Sequence, residues 1–269
     1  MPDTDKHVSN TPQAPQPPSP AAPDPAVAKP VKVLSQLFNW IGQHDRMVLF
    51  SLLVATLAIW AFAALADRVS DQRDFHFDAW LLRAFRNPDD LAVPIGPHSL
   101  VEAVRDISAL GGVTVLTMLT LGVAGFLGLR RMYGAMWLVV GSTLGGMIFV
   151  TVLKNLFDRP RPSLVPHLSL VFTSSFPSGH SMLSATVFLT LGALLTQFVH
   201  KRILKAYCLT IAVILTLMVG VSRVYLGVHY PSDVLAGWSA GLAWALICDL
   251  LAKFLQQRGT IEGDGGGSD

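Results

Sequence analysis

Positions free of Asp, Glu, Lys and Arg gather into six stretches along the chain, residues 47–66, 107–129, 132–153, 163–200, 206–222 and 234–248. A helix crosses a bilayer with roughly 20 mostly apolar residues, so the pattern predicts six spans. The longest stretch is too long and too polar at its start to be one helix, and its span begins at Pro177. The expected fold is all-α, a six-span transmembrane helical bundle over residues 47–255.

The flanks read differently. Nine of the 17 prolines fall within residues 1–30, a composition that cannot bury a core, so residues 1–32 are expected to form a disordered tail. Leu34, Leu37, Phe38 and Ile41 recur at helical spacing beside Trp40. Residues 33–46 therefore form either a short helix lying on the membrane or an extension of the first span. Residues 256–269 read as a flexible Gly- and Asp-rich tail. A polar N-terminus stands where a cleavable signal peptide would carry its apolar region, so the first span is expected to act as the membrane signal.

Orientation follows from Lys and Arg near the span ends. Arg130 and Arg131 follow the second span, and Lys201, Arg202 and Lys205 follow the fourth. These connections are expected inside, which puts both termini in the cytoplasm. The connection over residues 67–106 holds eight acids against five arginines and falls outside. Within it Phe77, Trp80, Leu81, Ala84 and Phe85 make a helical stripe, which either rests on the outer membrane surface or caps the bundle.

Composition agrees: 51% of residues are hydrophobic and only 14% charged, with a mean hydropathy of +0.48. A soluble domain carries about a quarter charged residues, so an ordinary cytosolic globule is excluded. A net charge of +2 without a basic run argues against nucleic acid as a partner. Cys208 and Cys248 lie in apolar runs without metal-ligand spacing and read as packing residues.

Ionisable residues at span edges are costly to keep there and mark sites. Span three ends in Lys154, Asp158, Arg159 and Arg161; span four starts at Pro177, Ser178, Gly179 and His180; span five ends in Ser222 and Arg223, with His229 and Asp233 following. An N-inside topology brings all three clusters to the outer face. Lys154, Arg161 and Arg223 suit phosphate oxygens, and Ser178 and Gly179 sit where a helix start offers free N–H groups to an anion. Asp233, one helical turn after His229, can hold one ring nitrogen and leave the other to attack, while His180 can protonate a leaving oxygen.

These clusters resemble the three signature motifs of the type 2 phosphatidic-acid phosphatase and vanadium haloperoxidase superfamily. Six residues separate Lys154 from Arg161-Pro162; Pro177-Ser178-Gly179-His180 follows; five residues separate Ser222-Arg223 from His229, and three more separate His229 from Asp233. The six-span layout resembles the membrane lipid-phosphatase branch, over about residues 47–255. The resemblance implies metal-free, cofactor-free hydrolysis of a lipid phosphate of the phosphatidate or undecaprenyl diphosphate type through a phosphohistidine. His229 would be the nucleophile, Asp233 its orienting partner and His180 the general acid and then base. Lys154, Arg161, Ser178, Gly179 and Arg223 would bind the phosphoryl oxygens.

Phosphoryl transfer between lipids, vanadium-dependent halide oxidation and a non-catalytic carrier or scaffold stand as alternatives. Asp158 and Arg159, at unspecified motif positions, read as a salt bridge or loop support, and His167 as a loop histidine. Gly145, Gly146, Gly237 and Gly241 read as helix-packing positions. The expected location is a bacterial inner membrane with the site on the periplasmic face.

Overall fold

The computed structural model describes residues 46–71, 75–171 and 173–257. The tail over 1–32, the surface helix over 33–46 except its last residue, and the tail beyond 257 lie outside the described residues. The latter was expected from 256; residues 256 and 257 are instead the last of a helix.

The described elements are α1 (Arg46–Ser70), α2 (His76–Ala84), β1 (Arg86–Asn87), β2 (Asp90–Pro94), α3 (His98–Ala109), α4 (Val113–Leu129), α5 (Tyr133–Phe157), α6 (Gly179–Leu195), α7 (Arg202–Tyr225) and α8 (Pro231–Gln257). The all-α reading holds apart from one small antiparallel hairpin, β1–β2, in the connection after α2. The six apolar stretches correspond to α1, α4, α5, α6, α7 and α8. Four of these, α1, α5, α7 and α8, are long and apolar enough to cross a membrane alone. α3 and α4 meet at 49° and pass together as a bent fifth candidate. α6 has 17 residues, about 26 Å at 1.5 Å per residue.

α6 is the hub, packed against α4, α5, α7 and α8. Its Met182, Leu183, Val187 and Phe188 share one core with Leu116, Val150, Leu153, Ala212, Val219 and Ala240. Small residues let α8 approach. A Cβ on Gly237 would stand 2.7 Å from the Ser178 carbonyl, and one on Gly241 2.7 Å from Ala185 Cβ. Outside the hub, Leu57, Trp60, Met118, Leu121, Ile203 and Tyr207 are exposed, an apolar exterior suited to lipid tails.

α2 corrects the stripe expectation in detail. Trp80 is 68% exposed, while Asp78 and Leu82 are 3% and 0% exposed. Phe77, Trp80 and Ala84 look outward, Leu81 and Phe85 are half-buried against the core, and the face carrying Asp78 packs inward, on α8.

Candidate active site

Local sequence explains how each group is presented. α5 stops at Phe157 because Pro160 and Pro162 cannot continue a helix, and Asp158 takes the left-handed conformation there, φ 33°. The chain leaving it carries Arg159 and Arg161 across the mouth of the bundle. α6 is capped by Ser178, whose side chain accepts from Ser181 N at 3.4 Å. α8 opens with Pro231, suited to a first helical position. Asp233 then caps the same turn by accepting Tyr230 N at 2.9 Å. Ser178 N donates to the Asp233 carbonyl at 3.0 Å, tying the starts of α6 and α8 together.

Around these helix starts the motif residues converge. His229 is 2% exposed. Its Nδ1 lies 3.4 Å from Asp233 Oδ2 without a completed hydrogen bond, the loose geometry common before substrate binds. Its Nε2 lies 3.3 Å from Arg161 Nη1. A guanidinium only donates, so Nε2 is the acceptor and the ring proton sits on Nδ1, toward Asp233. Burial above all, then the positive fields of Arg223, Arg161 and Lys154, holds this imidazole well below its ordinary value; a contact to the Ser175 backbone opposes them weakly.

The cations are fixed by neutral oxygens. Arg161 donates to the Thr173 carbonyl at 2.8 Å and the Val228 carbonyl at 2.6 Å. Lys154 Nζ donates to the Ser174 carbonyl at 2.5 Å and to Thr173 Oγ1 at 3.3 Å. Arg223, 4% exposed, donates to Ser108 Oγ at 2.7 Å, while its Nε has no partner. Carbonyls and hydroxyls orient these groups without cancelling their charge. The Gly179 position faces Lys154, whose Cε is 3.4 Å from a Cβ built there. His180 lies against the α3–α4 junction, its Nε2 3.9 Å from a Cβ built on Gly112. Ser178 N–H is occupied by Asp233 and its hydroxyl is buried against Ser181, so at this helix start the N–H groups of Gly179 and His180 are the donors left for an anion.

Residues outside the three motifs complete the surroundings. Arg159 bonds Asp233 Oδ1 at 2.6 Å and Asp78 Oδ2 at 3.2 Å, in keeping with the salt-bridge reading of that position. Arg86, 2% exposed, donates to the Tyr225 carbonyl at 2.9 Å and underpins the turn at Gly227, whose φ of +72° favours glycine. His167 Nε2 pairs with the Pro162 carbonyl at 2.7 Å, a loop contact. Asp78, Arg86, Ser108, Thr173 and Ser232 escaped sequence reasoning. The one available signal was the i, i+4, i+8 spacing of Asp78, Leu82 and Arg86, opposite the aromatic stripe.

A model of the PAP2 superfamily matches residues 134–256. The chain is 38% identical over 158 residues to phosphatidylglycerophosphatase B of Bacillus subtilis, an alignment covering 56% of this chain and 74% of that protein. The chain belongs to the PAP2 superfamily. It is also 28% identical over 194 residues to a lipid A 1-phosphatase of Rhizobium etli, covering 60% of this chain and 79% of that one. Among solved structures, the transmembrane PAP2-type phosphatidylglycerolphosphate phosphatase of Bacillus subtilis is similar with a TM-score of 0.63 and 27% identity, covering 74% of this chain and 96% of that one. With its long apolar helices, this PAP2 protein is an integral membrane protein.

Proposed function

We propose that this PAP2 protein is a lipid phosphatase that hydrolyses the phosphomonoester or diphosphate of a membrane lipid, of the phosphatidylglycerophosphate, phosphatidate or polyprenyl diphosphate type, through a phosphohistidine on His229. The observation that carries the reading is the buried His229 ring, with Nδ1 toward Asp233 and Nε2 facing Arg161. In the reaction the Nε2 lone pair attacks phosphorus as the bond to the lipid oxygen breaks. His180 gives that oxygen its proton, and Asp233 stabilises the charge left on His229. His180 then takes a proton from water as its oxygen attacks phosphorus. Breaking the N–P bond frees inorganic phosphate and returns His229 to neutrality.

Phosphoryl transfer depends on positioning and on neutralising spread negative charge. Lys154, Arg161, Arg223 and the backbone N–H groups of Gly179 and His180 perform that task. In this reading α4 and α6 also cross the membrane, giving six crossings with both termini inside and the site on the outer, periplasmic face. A lipid then keeps its chains in the bilayer while its headgroup reaches the cations.

The test is phosphate release by purified wild type and His229→Ala from phosphatidate, phosphatidylglycerophosphate and undecaprenyl diphosphate in detergent, with EDTA present. Release that depends on His229 and resists EDTA is expected from at least one lipid. Equal release by both proteins, or none from any lipid, removes the reading.

A further inference from the structure

We propose that Asp78, on the outer helix α2, is a positioning residue for the His229–Asp233 pair, acting through Arg159 and Ser232; this rests on the reading of His229 as nucleophile. Asp78 is nearly fully buried, and its partners lie far away in sequence. Oδ1 accepts Ser232 N at 2.8 Å, 154 positions on. Oδ2 accepts the Ser232 hydroxyl and Arg159 Nη2. The other arm of Arg159 serves Ser232 Oγ at 2.8 Å and Asp233 Oδ1 at 2.6 Å. Its guanidinium lies over the Tyr230 ring, 4.1 Å from the centroid.

The geometry divides one guanidinium between two carboxylates. A fork left with a single carboxylate closes on both of its oxygens, because bidentate pairing is the stronger arrangement. Asp78 holds one arm, so Arg159 takes only Oδ1 of Asp233 and leaves Oδ2 for Tyr230 N and the Nδ1 side of His229. Without the Asp78 charge, Arg159 swings onto Oδ2 as well and competes with His229 for it. The imidazole then loses the acceptor that orients it and stabilises its charge during attack.

A role confined to docking α2 on α8 makes a different prediction, so kinetics separate the two. Asp78→Asn, Arg159→Gln, the double variant and His229→Ala are assayed per folded, monodisperse molecule, on the lipid that wild type hydrolyses fastest. Asp78→Asn is expected to lower kcat about tenfold or more, the scale of a small misplacement of a reacting group, with KM within about threefold. In the Arg159→Gln background the same change is expected to cost less than about threefold, because the competing fork is gone.

A kcat loss under threefold for Asp78→Asn, or an equal loss in both backgrounds, overturns the proposal. Should Asp78→Asn not fold, Ser232→Ala decides: it removes only the hydroxyl shared by Asp78 and Arg159. A fall in kcat of at least threefold at constant KM is expected, and a smaller fall overturns the proposal. His229→Ala distinguishes the two levels. Activity retained there removes the phosphatase reading itself, whereas an inactive His229→Ala beside a fully active Asp78→Asn removes only the role of Asp78.

Discussion

On the proposed reading, the buried imidazole of His229 has to stay neutral to attack phosphorus, and its surroundings favour that state. Its proton affinity is lowered by burial and by Arg223, Arg161 and Lys154; Asp233, whose own charge is shared with Arg159, is the nearby acid. Because the neutral form persists as pH falls, the acidic limb of kcat/KM is expected below the ordinary histidine value of 6.5. Replacing Arg223 with Gln removes the largest of the opposing fields, so that limb moves upward, toward 6.5. On the proposed reading the same change deletes a donor for the transferred phosphoryl group, and kcat is expected to fall about 10²- to 10³-fold. A pH–rate profile of wild type and Arg223→Gln reads both effects, and an acidic limb that stays in place contradicts the assigned field. Arg161 differs in kind, since it reaches Nε2 directly and must yield that position to phosphorus as substrate enters.

Between helices the decisive contact is α6 against α8, where the two starts carry His180 and Asp233. Gly241 meets Ala185 and the Met182 backbone at a distance that no side chain fits. Gly241→Leu is expected to overpack this seam by about 1–3 kcal/mol, read as a lower Tm in detergent. Gly141→Ala, on a part of α5 with nothing within 4 Å, is expected to leave Tm unchanged. Such close packing was legible in the spacing of Gly237 and Gly241, because small residues four apart line one helix face. The inward face of α2 was not. Phe77, Trp80, Leu81, Ala84 and Phe85 made the clearer hydrophobic pattern, but beside a lipid bilayer an apolar face has two places to go, and pattern alone does not choose between them. The structure turns Trp80 outward and buries Asp78, whose partner Ser232 could not be inferred from either local sequence. Arg86 was hidden for the same reason: its buried partners are backbone carbonyls, which leave no mark in sequence. The motif residues stood out in sequence because charged and histidine side chains gathered at span ends, and the structure brings His229, Asp233, Arg161 and Ser178 close together.

At the scale of the whole molecule, the proposed orientation rests on charge asymmetry. Arg130, Arg131, Lys201, Arg202 and Lys205 mark one side, and the connection through α2 and the hairpin the other. In a background with Cys208 and Cys248 replaced by serine, Asp89→Cys is expected to react with a membrane-impermeant thiol reagent on intact cells. His200→Cys is expected to react only after permeabilisation, and the reverse pattern would invert the topology. Asp78 and Ser232, bonded across 154 positions, also bear on biogenesis. If His229 is the nucleophile and Asp78 positions it, as proposed, the pair is braced only when a segment inserted early meets a helix inserted late. On the proposed reading, a half-made chain already surrounded by lipids bearing phosphate is expected to be chemically silent until its insertion is complete.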